Sequence, residues 1–193
     1  MTGTVVAIQM QAAGYNWEID ALDRLVIRDQ QRSFESTFLL VPTSTTGIWT
    51  SSDVMLTTPL RNYSVSDYPR FFDAIGYPEG RLKLEAIQSA GHNFTNQDMG
   101  VPIYCFYSKG TPTPERLVYD SISTFPDSEP LVEMGEGDGT VNLRSLEACS
   151  RWQYIQHKQP VTVKHYADIG HHELLHLPSL ISDVLRVAIK PTQ

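Results

Sequence analysis

The spacing of hydrophobic and polar positions changes character near the middle of this 193-residue chain. Residues 1–98 read as short mixed elements separated by polar turns. One helix stands out there. Tyr68, Phe71, Phe72 and Ile75 fall at i, i+3, i+4 and i+7, Asp67 can cap the entry and Gly76 ends the run, which predicts a helix over 66–75. Residues 25–41 set a basic-polar segment, Arg28-Asp29-Gln30-Gln31-Arg32-Ser33, before an apolar one, Phe38-Leu39-Leu40-Val41, and stop at Pro42. From about residue 99 the texture becomes that of a strand–helix sandwich. Residues 101–107 are short, apolar and bounded by Gly100 and Gly110, as a buried strand requires. Residues 117–120 and 131–134 read as a hairpin across a Pro- and Ser-containing loop. Gly135-Glu136-Gly137-Asp138-Gly139-Thr140 is a tight loop feeding a helix over 142–153. The β-branched run Val161-Thr162-Val163 is followed by Gly170-His171-His172, and a last helix carries Pro178 in its first turn. Leu180, Ile181, Val184, Leu185 and Ala188 give that helix one apolar stripe.

Composition narrows the function classes. Hydrophobic residues make up 41% of the chain, enough for one sizeable core in one or two domains. The net charge of −7 is spread without a run of like sign. An acidic chain gains nothing from counterion release on a phosphate backbone, so nucleic acid is not an expected partner. The longest apolar run is about four residues, against the roughly 20 needed to span a bilayer. Residues 1–10 lack the basic start and unbroken apolar stretch of a signal peptide. Two features point toward the secretory pathway all the same: the sequons Asn62-Tyr63-Ser64 and Asn93-Phe94-Thr95, and an even pair of cysteines, Cys105 and Cys149. Together they suggest a secretory chain without its beginning.

The order strand, Asp loop, helix, strand, His loop, helix is how the second half of an α/β-hydrolase presents its acid and its base. The acid of a serine triad orients the imidazole and stabilises its protonated form, so both groups must sit at strand ends facing one point. Asp138 and His171 are the candidates. Glycines on both sides of Asp138 allow the sharp turn that holds a carboxylate at a strand end, although an Asp-Gly turn is also an ordinary loop, and His171 could equally be a surface loop histidine. No serine has the G-x-S-x-G flank of a nucleophile elbow. Chain order places the nucleophile before the acid, so the expectation is an N-terminal truncation. A rival pattern overlaps the histidine loop: His172-Glu173-Leu174-Leu175-His176 matches H-E-x-x-H, in which two histidines one helical turn apart bind zinc. Gly170 and Pro178 leave little regular helix for it, and downstream of His176 the only carboxylate side chain is Asp183.

Several collinear segments resemble the family of lecithin-cholesterol acyltransferase and lysosomal phospholipase A2. They are Arg28-Asp29-Gln30-Gln31-Arg32-Ser33, Asn62-Tyr63-Ser64 with Asp67-Tyr68-Pro69-Arg70-Phe71-Phe72, Ile75-Gly76-Tyr77-Pro78-Glu79-Gly80, Tyr104-Cys105-Phe106-Tyr107 with Pro112-Thr113-Pro114, and Gly137-Asp138-Gly139-Thr140-Val141-Asn142. The resemblance covers about residues 25–189. It implies the C-terminal half of an α/β-hydrolase fold plus part of its cap domain: residues 1–98 a partial cap and lid region, residues 99–193 the core with the Asp and His loops. It implies Asp138 as acid and His171 as base, with His172 in reserve, a Cys105–Cys149 disulfide and glycosylation at Asn62, while Asn93 is a second expected glycosylation site on its sequon alone. Residues 1–20 fall where the family has a mobile lid, with Tyr15, Trp17 and Ile19 facing lipid or packed in the cap. The implied activity is transfer of an acyl chain from a phospholipid, through a serine acyl-enzyme, to water or a lipophilic alcohol at a membrane or lipoprotein surface, in a lysosomal or secreted setting. No metal and no cofactor is implied. Without its serine the chain should be inactive alone, and the missing half should leave apolar side chains exposed. The alternatives are a non-catalytic lipid-binding or interaction protein on the same half-fold and, more remotely, a zinc peptidase through His172 and His176.

Overall fold

A computed structural model describes residues 2–17, 19–90 and 98–189. In chain order the helices are α1 (Val5–Ala12), α2 (Arg24–Ser33), α3 (Glu35–Leu39), α4 (Tyr68–Ala74), α5 (Glu79–Ser89), α6 (Leu143–Leu146), α7 (Trp152–Ile155) and α8 (Pro178–Ala188). The strands are β1 (Leu56–Thr57), β2 (Asn62–Tyr63), β3 (Ile103–Lys109), β4 (Thr111–Val118), β5 (Leu131–Gly137) and β6 (Val161–Ala167). The architecture is mixed α/β. One sheet has the order β2-β1-β4-β5, with β1 parallel to β4 and the other pairs antiparallel, while β3 and β6 form a parallel pair in register from Ile103↔Val161 to Lys109↔Ala167. No helix among the described residues is long and apolar enough to cross a membrane.

The first helix differs most from expectation. Residues 1–20 were expected at a mobile lid, but Val5, Val6, Ala7, Ile8 and Ala12 are at most 2% exposed, so α1 lies in the core. A helix with apolar side chains on most of its circumference, and with Gln11 buried as well, is stable only when surrounded, and burying each of its larger apolar side chains contributes on the order of 1.5–3 kcal/mol. Only the segment after it is open: Trp17 and Ile19 are half-exposed, and Tyr15 is tied to Gln31 through its backbone.

A buried helix must also have its terminal backbone groups satisfied. At the N-terminal end Thr4 caps Val6 N, and Asn142 accepts from Val5 N at 3.0 Å. At the C-terminal end three arginines spaced four apart on α2 each donate to a carbonyl: Arg24 to Ala13 (2.7 Å), Arg28 to Ala12 (3.1 Å) and Arg32 to Gln11 (2.9 and 2.7 Å). Arg32 also reaches Ile75 O at 3.2 Å and lies 5.1 Å from the Tyr77 ring centroid. Burial, and next the neighbouring Arg28, lower its pKa to about 10, which leaves it charged at neutral pH. The basic-polar segment 28–33 is therefore a helix whose cations face inward onto the negative end of α1.

The main core joins α1, α3, α4 and α5 to β1, β4 and Trp49. It includes Leu117 and Tyr119 as well as residues before position 98, so the expected division at 98 does not correspond to a gap in packing. The helix expected over 142–153 is broken into α6, a 3-10 segment over Glu147–Arg151 and α7, and the 3-10 segment carries Cys149. On α8 only Leu180 and Asp183 are buried, while Ile181, Val184 and Leu185 are 45–51% exposed. The apolar stripe expected there exists, and much of it faces outward.

Candidate active site

Backbone closure brings the Asp and His loops together. At the ends of the parallel pair, Asp168 N donates to Lys109 O at 2.8 Å, so the chain leaving β6 runs beside the start of β4. Thr111, the first residue of β4, bridges Asp138 at the other side. Residues 168–171 and the loop after β5 therefore converge on one point, and His171 Nδ1 lies 2.8 Å from Asp138 Oδ2. A carboxylate that orients an imidazole sits about 2.6–3.2 Å from it.

The Asp138 loop is fixed by bonds of its own, independent of the histidine. Asp138 Oδ1 accepts from Thr140 N at 3.0 Å and Val141 N at 2.7 Å, and Asp138 N donates back to Val141 O at 3.3 Å. Gly139 has φ +92, a backbone that side-chain-bearing residues avoid, and donates to Thr113 Oγ1 at 2.8 Å. At Gly137 a Cβ would collide with Val141 O and Thr113 Oγ1. The two glycines thus serve different needs, one for conformation and one for close approach. One carboxylate oxygen is consumed by the backbone and the other is left for His171.

The electrostatics follow from this geometry. Asp138 is 2% exposed, and burial pushes its carboxyl up, but the hydrogen bonds from His171, Val141 and Thr140 outweigh burial and hold it below its ordinary value. The hydrogen bond to Asp138 raises the pKa of His171 against the opposing effect of burial, with the charges of Asp138 and Glu173 adding to the rise. The His171 side chain is 37% exposed, so the ring spans a buried anion and solvent. Such a pair can accept a proton at the outer nitrogen and stabilise the resulting imidazolium.

His172 does not share this position. It is exposed, and its ring packs edge-on against His171 with centroids 5.3 Å apart. The H-E-x-x-H segment forms a four-residue 3-10 helix, Glu173–His176, ahead of Pro178. At about three residues per turn, positions four apart are rotated by about 120° and do not share a face as they would on an α-helix. No group of three or more potential metal ligands occurs among the described residues. Cys105 of β3 and Cys149 are joined, with Cα atoms 6.3 Å apart, and Asn62 is exposed on β2, whereas Asn93 lies outside the described residues. A cavity of about 250 Å³ between β3, β6 and α8, lined by Tyr104, Phe106, Lys164 and Arg186, touches neither Asp138 nor His171.

Sequence reasoning passed over the residues that hold the acid loop. Thr4 Oγ1 donates to Thr140 O, and the Asn142 side chain accepts from Val5 N while donating to Pro114 O at 2.8 Å and Glu115 Oε2 at 2.7 Å. Asn142 was visible only as the last residue of the Gly137–Asn142 segment and the start of the expected helix, with no role attached to it.

The lecithin:cholesterol acyltransferase family profile matches residues 92–178, which contain Asp138 and His171. The human lysosomal phospholipase A and acyltransferase is 35% identical over 189 residues, 98% of this chain and 44% of that protein. The chain is similar to the lecithin:cholesterol acyltransferase family. The Bos taurus lysosomal phospholipase A and acyltransferase is 36% identical over 98% of this chain and 44% of its own length. The Gallus gallus phosphatidylcholine-sterol acyltransferase is 35% identical over 88% of this chain and 40% of that enzyme. The chain therefore spans less than half the length of these relatives.

Proposed function

We propose that this chain supplies the acid and base of a serine acyl-transfer site acting on phospholipids, on the C-terminal part of an α/β-hydrolase fold. The observation that carries the reading is the 2.8 Å contact between a buried, backbone-anchored Asp138 and a half-exposed His171. In this reading Asp138 keeps the proton on Nδ1, so that Nε2 is free to take the proton of a serine hydroxyl as that oxygen attacks the ester carbonyl. His171 then returns the proton to the departing lysophospholipid oxygen. In the second half of the cycle it deprotonates water or a lipophilic alcohol, which takes the acyl group from the serine.

The nucleophile is not among these 193 residues, since no serine has an elbow flank. We therefore assign it to sequence outside them, and the chain alone should not turn over substrate. Residues 1–98 contribute part of a cap in this reading, although they share the core with β4. The disulfide and the exposed Asn62 support an oxidising compartment, lysosomal or secreted, with contact to a lipid surface made peripherally.

The test uses the longest product of the locus that contains an upstream serine elbow. Asp138→Asn should fold normally and lose about 10⁴-fold in turnover of a phosphatidylcholine vesicle substrate, because the amide no longer holds the working tautomer. Full activity in that variant would overturn the assignment, as would turnover by the 193-residue chain itself.

A further inference from the structure

We infer that Asn142 is a positioning residue for the Asp138–His171 pair: its amide ties the loop carrying Asp138 to the first N–H of α1 on one side and to Pro114 and Glu115 of β4 on the other, and so sets where the carboxylate meets the ring. The inference rests on the acid–base reading above and adds a residue to it.

Three observations converge on this side chain. Asn142 is 0% exposed, and both ends of its amide are engaged: Oδ1 accepts from Val5 N at 3.0 Å, and Nδ2 donates to Pro114 O at 2.8 Å and to Glu115 Oε2 at 2.7 Å. Its backbone bridges Gly137, closing the turn that contains Asp138. Its preceding residue, Val141, supplies the shorter of the two backbone bonds to Asp138 Oδ1, at 2.7 Å. A displacement of Asn142 is therefore passed directly to the donor that fixes the carboxylate. Arg144 pairs with Glu115 and with Asp53 and lies 4.5 Å from the Trp49 ring centroid, which restrains Glu115 from following Asn142 if the amide is altered.

A nearly isosteric change removes the donations, and because its added negative charge would by itself raise the His171 midpoint, a fall reports the displacement of Asp138. Asn142→Asp keeps the shape and the acceptor for Val5 N but removes both donations, and it sets an oxygen against Pro114 O and a carboxylate against Glu115. A buried polar group left facing a like partner is displaced rather than tolerated. Adding Glu115→Gln restores a donor opposite position 142 and leaves Oε1 for Arg144, so it should recover part of the native geometry.

The test reads the His171 ring by proton NMR titration in the folded chain, with the resonance assigned by its loss in His171→Asn. The charged groups acting on that ring are Asp138 and Glu173, and His172 is its aromatic neighbour. Asp138→Asn marks the full downward displacement of the titration midpoint. Asn142→Asp should produce at least half of that displacement, and Glu115→Gln in the same chain should reverse part of it. Leu84→Ala, destabilising but on α5 and away from α1, should leave the midpoint in place. If Asn142→Asp fails to fold, Asn142→Ser is read in the same way, because it adds no charge and its single hydroxyl cannot donate to both Pro114 and Glu115. A folded Asn142 variant with an unchanged midpoint overturns the inference while leaving the acid–base pair intact. An unchanged midpoint in Asp138→Asn would instead sink the pair itself.

Discussion

Replacing both Cys105 and Cys149 by alanine should cost this chain a large part of its stability. The bridge spans a sequence separation of 44. Closing a loop of that length restricts the unfolded chain by about 4 kcal/mol at 25 °C in the chain-entropy relation. Denatured chains retain some structure, which reduces the difference, so the expected loss is about 2–4 kcal/mol. For a chain of this size each kcal/mol moves the midpoint by about 2–4 °C, and the melt should fall by about 5–15 °C. The loss should also be uneven. Cys149 sits on the 3-10 segment Glu147–Arg151, between the Asp138 loop and β6, and Cys105 sits mid-strand on β3. Amide exchange should therefore quicken first in Glu147–Arg151, ahead of the α1 core, which has no covalent tie to the bridge. Calorimetry of the oxidised, reduced and double-alanine forms provides the assay. A midpoint shift under about 2 °C would mean that the bridge constrains neither state, and the reasoning would fail.

Two other outcomes follow from the charges. His171 has a folded pKa raised above its ordinary 6.5, so its contribution to stability is fully present below 6.5 and is lost as pH rises through the folded value. Asp138 has a folded pKa below its ordinary 3.8, so its contribution is present above 3.8 and is lost as pH falls through the folded value. One contact produces both, and urea melts should show the difference between wild type and Asp138→Asn at its largest between pH 4 and 6.5, shrinking on either side; a difference that grew above neutral pH would contradict the sign. Arg32→Met keeps much of the side-chain volume but leaves the Gln11 and Ile75 carbonyls without their donor, and should destabilise by about 3–5 kcal/mol in denaturant titration, with a loss under about 1 kcal/mol refuting the capping role.

The parts of this molecule that were legible in the sequence are those whose causes are local. Tyr68, Phe71 and Phe72 share one face of α4 because a 3.6-residue period is written in adjacent letters, and all three are buried. The β-branched start of β6 and the glycine-bounded β3 were readable for the same reason. Boundaries moved by a few residues, since β4 begins at Thr111 and includes two prolines that no strand pattern would suggest. Helix α1 was missed because its buried positions, Gln11 among them, do not follow a hydrophobic period, and the arginines of α2 read as a solvated basic segment because the carbonyls they satisfy lie at the end of another helix.

The site divides along the same line. Asp138 and His171 could be singled out because each stands in a glycine-marked loop at a strand end, which is a local signature of a turn that presents a side chain. What makes them a pair is long-range. Thr4 holds Thr140 across 136 positions, and Val5 is held by Asn142 across 137. These contacts tie the start of α1 to the loop that carries Asp138, so the placement of the carboxylate depends on α1 being packed in the core. It follows that substitutions in α1, remote in sequence from both loops and touching neither Asp138 nor His171, should disturb Asp138 before they disturb His171: Asp138 takes its backbone bonds from the loop that α1 supports, whereas His171 follows β6 and the closure at Lys109.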